Sequence, residues 1–123
     1  MSKPIMCLDF DGVGHHYITK GKWDPTIIRD GATPGYAQAL ESYLTHYDCQ
    51  IFSSRSHQLG GIAAMQAWHV EEVGYDLARQ IGYPIVKPPA LVGLDDRVIT
   101  FTGVWPTLEE LKAFRPWNQR EVL

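Results

Sequence analysis

The sequence predicts a single α/β domain: a mainly parallel sheet with helices on both faces, a three-layer α/β/α sandwich. Three observations carry this expectation. Short apolar runs such as Ile5-Met6-Cys7-Leu8 stop abruptly at polar or charged residues. Longer segments between them repeat their apolar residues at helical spacing. Gly and Pro mark the joints between the two kinds of segment. Strands alternating with helices pair in parallel through right-handed crossovers. With 123 residues, 45% of them apolar and 20% charged, the chain suits one globular domain, 1–123, with a sizeable core.

Residues 4–9 read as a buried first strand. Residues 12–33, rich in Gly, aromatic and polar residues without a sustained period, read as an irregular loop or small hairpin, a short flap. Thr33-Pro34 has the form of an N-cap followed by proline in the first turn. Tyr36, Ala37, Leu40, Tyr43 and Leu44 then share one face of a helix over about 34–46. Cys49-Gln50-Ile51-Phe52 is the second strand. Ile62, Met65 and Trp68 set a helix that stops near Gly74, and a shorter one spans 75–81. Ile85-Val86 is expected as a third strand halted by Lys87-Pro88-Pro89, residues 90–94 as a fourth and 98–101 as a fifth. Thr107 and Glu110 form a capping box for a last helix carrying Leu108, Leu111 and Phe114.

A net charge of −3 gives no strong nucleic-acid signature, since such binding uses a basic face. No apolar run reaches membrane-span length, and Met1-Ser2-Lys3-Pro4 does not open a signal peptide, so a cytoplasmic location without membrane contact is expected. Cys7 and Cys49 fall inside strands and read as small buried hydrophobes. The five histidines, His15 and His16 among them, lack zinc-ligand spacing and are assigned to surface or substrate-side positions. Trp68, Trp105 and Trp117 are expected as core or packing residues rather than stacking platforms.

The chemistry lies where the strands end. In parallel sheets ligands bind beyond the carboxyl ends of the strands. Four predicted strands deliver polar groups there: Asp9 and Asp11, then Ser53, then Lys87, then Asp95 and Asp96. Four carboxylates on one rim repel one another, and burial raises the cost of each ionised form. A divalent cation that prefers oxygen ligands, Mg²⁺, relieves that cost, with Lys87 as a further positive charge. A cation, an ammonium and the Ser53 hydroxyl suit a phosphoryl group. Asp9 and Asp11, two apart in an extended segment, face the same side. One carboxylate can attack phosphorus and the other can move the proton. An acid role for Asp11 requires a pKa raised relative to Asp9.

The segments DFDGV, FSSR, KPP and LDDR, in this order, resemble the four motifs of the haloacid dehalogenase (HAD) superfamily of phosphohydrolases. The resemblance runs from Ile5 to about Pro106, and GGIAAMQAW and ITFTGVWP resemble small phosphatase-like members of bacteria and phages. It implies a Rossmann-like sheet and a magnesium-dependent phosphatase acting through an aspartyl-phosphate, in a bacterial cytoplasm or that of a phage's host. By the resemblance Asp9 is the nucleophile and Asp11 the acid/base. Ser53, or Ser54 in its place, offers the phosphate-binding hydroxyl, and Lys87 steadies the nucleophile. Asp95 and Asp96 hold the metal with the Asp9 carboxylate and the Asp11 main-chain carbonyl. Gly12, Ser54 and Arg55 complete the expected substrate-binding set; Arg55 and Arg97, beside FSSR and LDDR, each suit a substrate phosphate and equally suit pairing with nearby acids. Neither gap between motifs has room for a cap domain. An open site implies a phosphorylated substrate that is large or nucleotide-like, or a homo-oligomer whose neighbour closes the pocket. Two other classes fit the same groups: an inactive phosphate-binding module of this fold, and a phosphoacceptor receiver domain, whose acceptor Asp sits on a middle strand.

Overall fold

The computed structural model describes residues 2–118; Met1 and residues 119–123, the ends of the expected domain, lie outside the described residues. Three parallel strands, β1 (Ile5–Leu8), β2 (Asp48–Ile51) and β3 (Val92–Leu94), form a sheet in the order β2-β1-β3. Four helices accompany them: α1 (Tyr36–His46), α2 (Gly61–Val73), α3 (Tyr75–Ala78) and α4 (Leu108–Ala113). The fold is therefore α/β with a parallel sheet, as the alternation of elements required. Among the described residues no helix is long and apolar enough to cross a membrane.

The pleat sorts the strands into two faces. Met6 and Leu8 on β1 lie level with Cys49 and Ile51 on β2, and all four are buried. They pack with Phe10, with Leu40 and Leu44 of α1, and with Met65 and Trp68 of α2. Tyr36 donates its hydroxyl to His69 Nε2 at 2.8 Å, while His69 Nδ1 donates to the Met65 carbonyl at 2.7 Å. The opposite face carries Cys7, Gln50 and Gly93, and no helix among the described residues lies on it. Cys7 and Cys49 are free thiols within β1 and β2.

Several boundaries differ from expectation for local reasons. Helix α1 begins at Tyr36, capped by Gly35 at φ 84°, because the Thr33 hydroxyl donates to the Val13 carbonyl and ties down the flap instead. Helix α3 stops at Ala78, short of 81. The strand expected at Ile85-Val86 is absent. The chain meets β2 earlier, at Gly82, which donates to the Cys49 carbonyl and accepts from the Ile51 amide. Pro84 and Pro88-Pro89 then lack the N–H groups that would extend the ladder. The 98–101 segment forms no strand either: among the described residues β3 is the edge of the sheet and nothing pairs with it on that side. The capping box of α4 forms as read, Thr107 Oγ1 accepting from the Glu110 amide at 3.1 Å. Trp68 is in the core, but Trp105 is 81% exposed and Trp117 56%, contrary to expectation; Trp117 stacks on His16 and donates to the Gly12 carbonyl at 2.6 Å.

Candidate metal and active site

Register builds the site. Leu8 pairs with Leu94 in β3 and with Ile51 in β2, so the next residues bring Asp9 beside Asp95 and Phe52. The Asp9 amide donates to the Leu94 carbonyl at 3.0 Å and continues the ladder by one step. Each of Asp9, Asp95 and Asp96 offers a carboxylate oxygen within 4.8 Å of the others. The Asp96 side chain is 1% exposed, and with Asp9 ionised neither of its oxygens has a hydrogen-bond partner among the described residues; a protonated Asp9 donates to it. Its nearest cation is Arg97 Nε, at 3.8 Å. Burial and the Asp95 charge push Asp9 up to about 8, and burial raises Asp96 as well. Buried carboxylate oxygens without partners are costly unless a cation shares them. Three acidic oxygens this close fit a divalent cation that takes oxygen ligands.

Gly12 makes the approach possible. Its φ is +85°, and a Cβ there would lie 2.1 Å from Asp96 Oδ2. Gly12→Ala is therefore expected to displace Asp96 and to weaken cation binding about tenfold or more, since about 1.4 kcal/mol suffices for that. A calorimetric titration that finds unchanged affinity would remove this constraint.

Asp11 turns away from the triad. His15, buried to 1%, accepts from the Asp30 amide at Nε2 (3.1 Å), so Nδ1 carries the proton and donates to Asp11 Oδ1 at 2.8 Å. Arg55 Nε reaches both Asp11 oxygens, at 3.2 and 3.0 Å. Burial alone would raise Asp11, but the hydrogen bonds from His15 and Arg55 outweigh it and hold the carboxyl below its ordinary range. The expected ordering of the two acids is thus reversed: Asp9, crowded by acids, is the high one.

Arg55, expected among the substrate-binding residues, is spent on structure. It is 1% exposed, and its Nη1 donates to the carbonyls of Asp24, Pro25 and Ile27, each at 3.0 Å. It pins the flap to Asp11. Of the two arginines suited to a substrate phosphate, Arg97 is the one that lines the cleft, with its Nε 3.8 Å from Asp96. Contrary to the surface or substrate-side expectation, His15 and His69 are both buried: His15 is Asp11's partner, and His69 sits in the core between Tyr36 and the Met65 carbonyl. The spacing of four between Asp11 and His15, across a glycine turn, was the available signal for that pair.

Two clefts meet at Asp9. The smaller, about 180 Å³, is lined by Asp9, Asp11, Ser53, Ser54, Asp96 and Arg97, with Tyr17 and Trp23 of the flap. Ser53 is buried and its Oγ accepts from the Arg55 amide at 3.1 Å, which leaves its own proton to donate; Ser54 is exposed. The larger, about 670 Å³, holds Asp9 and Asp95 with Lys87 and the apolar side chains that follow. Lys87 is exposed, and among the described residues no ion pair joins it to Asp9, Asp95 or Asp96. No family model matches the chain, and no curated protein or solved structure matches it.

Proposed function

We propose that the chain is a capless, magnesium-dependent phosphatase of haloacid dehalogenase type, hydrolysing phosphate monoesters through an aspartyl-phosphate on Asp9. The observation that carries this reading is the Asp9–Asp95–Asp96 cluster, with its unpartnered buried oxygens, beside a small cleft lined by Ser53 and Arg97. With it goes a cytoplasmic location; of the three layers of such a sandwich, α1 and α2 supply one outer layer, and among the described residues no helix supplies the other.

Mg²⁺ held by Asp9, Asp95 and Asp96 would supply positive charge that favours ionised Asp9 and neutralises phosphoryl oxygens. The Ser53 hydroxyl and the Arg97 guanidinium orient those oxygens. The Asp9 carboxylate attacks phosphorus, and the ester P–O bond breaks with its electron pair leaving on the departing oxygen. Water then attacks the phosphorus of the aspartyl-phosphate and gives its proton to Asp11, releasing the Asp9 carboxylate and inorganic phosphate. Asp11, held ionised by Arg55 and His15, is set for this second step. The first step consequently runs best with leaving oxygens that depart without a proton, such as phenolates.

The test is phosphate release from an aryl phosphate. Release is expected with magnesium, background only in excess chelator, and recovery when magnesium is restored. Full activity in chelator would overturn the metal-dependent reading. Phosphate binding without any turnover would leave the inactive-module reading, which the tethered Asp11 favours.

A further inference from the structure

We propose that Trp117 is a positioning residue of the cation site: its indole N–H, bonded to the Gly12 carbonyl, closes the segment that leaves the sheet at Asp96 and so holds Asp96 beside Asp9. The inference rests on the reading of the acidic triad as a Mg²⁺ site. It adds a residue beyond the stretch, Ile5 to about Pro106, that carries the family resemblance.

The two ends of one long segment meet on Gly12. At its start, Asp96 lies so close that a Cβ on Gly12 would sit 2.1 Å from Oδ2. At its end, 105 residues along the chain from Gly12, Trp117 Nε1 donates to the Gly12 carbonyl at 2.6 Å. The Gly12 amide donates to the His15 carbonyl at 2.9 Å, so both polar groups of this residue are held. Between the two ends little anchors the segment. From Arg97 to Arg115 only Pro106 and Phe114 are even partly buried, and α4 packs against no other element among the described residues. Segments with so few buried contacts open readily on their own.

The chain regains the body of the molecule at Pro116, which is fully buried. The strap that follows grips the loop after Asp11 at three points. The indole N–H holds Gly12, the indole ring lies parallel to the His16 imidazole with centroids 5.9 Å apart, and Asn118 Nδ2 donates to the His16 carbonyl at 3.4 Å. Trp117 itself is more than half exposed, so burial of its ring is a weak reason for an aromatic residue here. What tryptophan supplies is a long, rigid side chain with a donor at its edge.

Closing a loop of this length costs entropy that contacts at the returning end must offset. Without the indole donor, Gly12 loses one of its two holds and the returning end loses its tie to the Asp96 end. Asp96 then spends time away from Asp9 and Asp95, and the three acidic oxygens spread beyond the reach of one cation. The coupling is reciprocal: where a docked strap strengthens cation binding, a bound cation strengthens docking by the same factor.

The test uses the full chain. Trp117→Phe keeps an aromatic ring over His16 and removes the donor. By titration calorimetry well below the melting temperature, it is expected to bind Mg²⁺ about fivefold more weakly, the worth of one ordinary hydrogen bond. A role confined to stability would lower the melting temperature and leave that affinity unchanged. In the NMR spectrum of the unmodified chain, the Trp117 indole N–H is expected to exchange with solvent about fivefold more slowly once Mg²⁺ saturates the site. Should the variant not fold, this second measurement decides. Equal Mg²⁺ affinity in the two chains, or an indole exchange rate that Mg²⁺ leaves unchanged, overturns this proposal alone. An unmodified chain that binds no Mg²⁺ overturns it together with the reading on which it rests.

Discussion

Replacing Asp9 by Asn is expected to reduce phosphate release by about a thousandfold or more, while the metal-free protein melts higher than before. The two effects share one cause. On the proposed mechanism the Asp9 carboxylate is the nucleophile, and an amide cannot open the covalent route; each decade of lost rate is about 1.4 kcal/mol of barrier. The same substitution removes one of three acids crowded within 4.8 Å, so it relieves repulsion and the cost of burying charge. A steady-state assay and a melting curve read the two separately. Appreciable turnover by the variant would remove the nucleophile assignment. A lower melting point would contradict the electrostatic account of the triad.

Arg55→Leu is expected to be the most destabilising single change in the molecule. Leucine retains apolar bulk against the Phe10 and Trp23 rings that the guanidinium now overlies. It cannot replace the bonds. Asp11 loses the Nε–H that its two oxygens share and keeps a buried charge, and three flap carbonyls lose their donor. Breaking a buried ion pair from one side costs about 3–5 kcal/mol. At about 3–5 °C per kcal/mol for a domain of this size, melting should fall by about 10–20 °C. A fall of only a degree or two would mean that Asp11 and the flap are held by something else.

The contrast between Arg55 and Arg97 shows what was legible in the chain and what was not. Strand ends and caps are local, so the first two strands, α1, α2 and the Thr107–Glu110 box could be read directly. Asp9, Asp95 and Asp96 meet because register carries neighbouring strand ends to one level, and sequence order suffices to place them there. The partner of a side chain is different. Arg55 adjoins the motif, yet its direction depends on a flap that folds back over it, and no periodicity encodes that. The missing strands fail similarly: Ile85-Val86 and 98–101 have strand composition, but pairing requires an available edge and donors that proline lacks. Trp105 looked like core because it is large and apolar; only the assembled sheet reveals that nothing lies over it.

The account rests on the claim that the acidic triad is relieved by a divalent cation, and stability measured against pH with and without magnesium tests it most directly. Asp9 holds its proton to about 8 in the folded state against an ordinary 3.8. The folded protein therefore binds more protons than the unfolded chain between those values, and stability falls as pH rises through that window, by at most about 1.4 kcal/mol per pH unit for one proton. Asp11 runs the other way: its contribution is present above the ordinary carboxylate range and is lost as pH falls through its lowered value. The predicted result is a melting temperature that declines from about pH 4 to about pH 8 without metal and recovers saturably when Mg²⁺ is added at the alkaline end. Curves that coincide with and without Mg²⁺ across that range would contradict it.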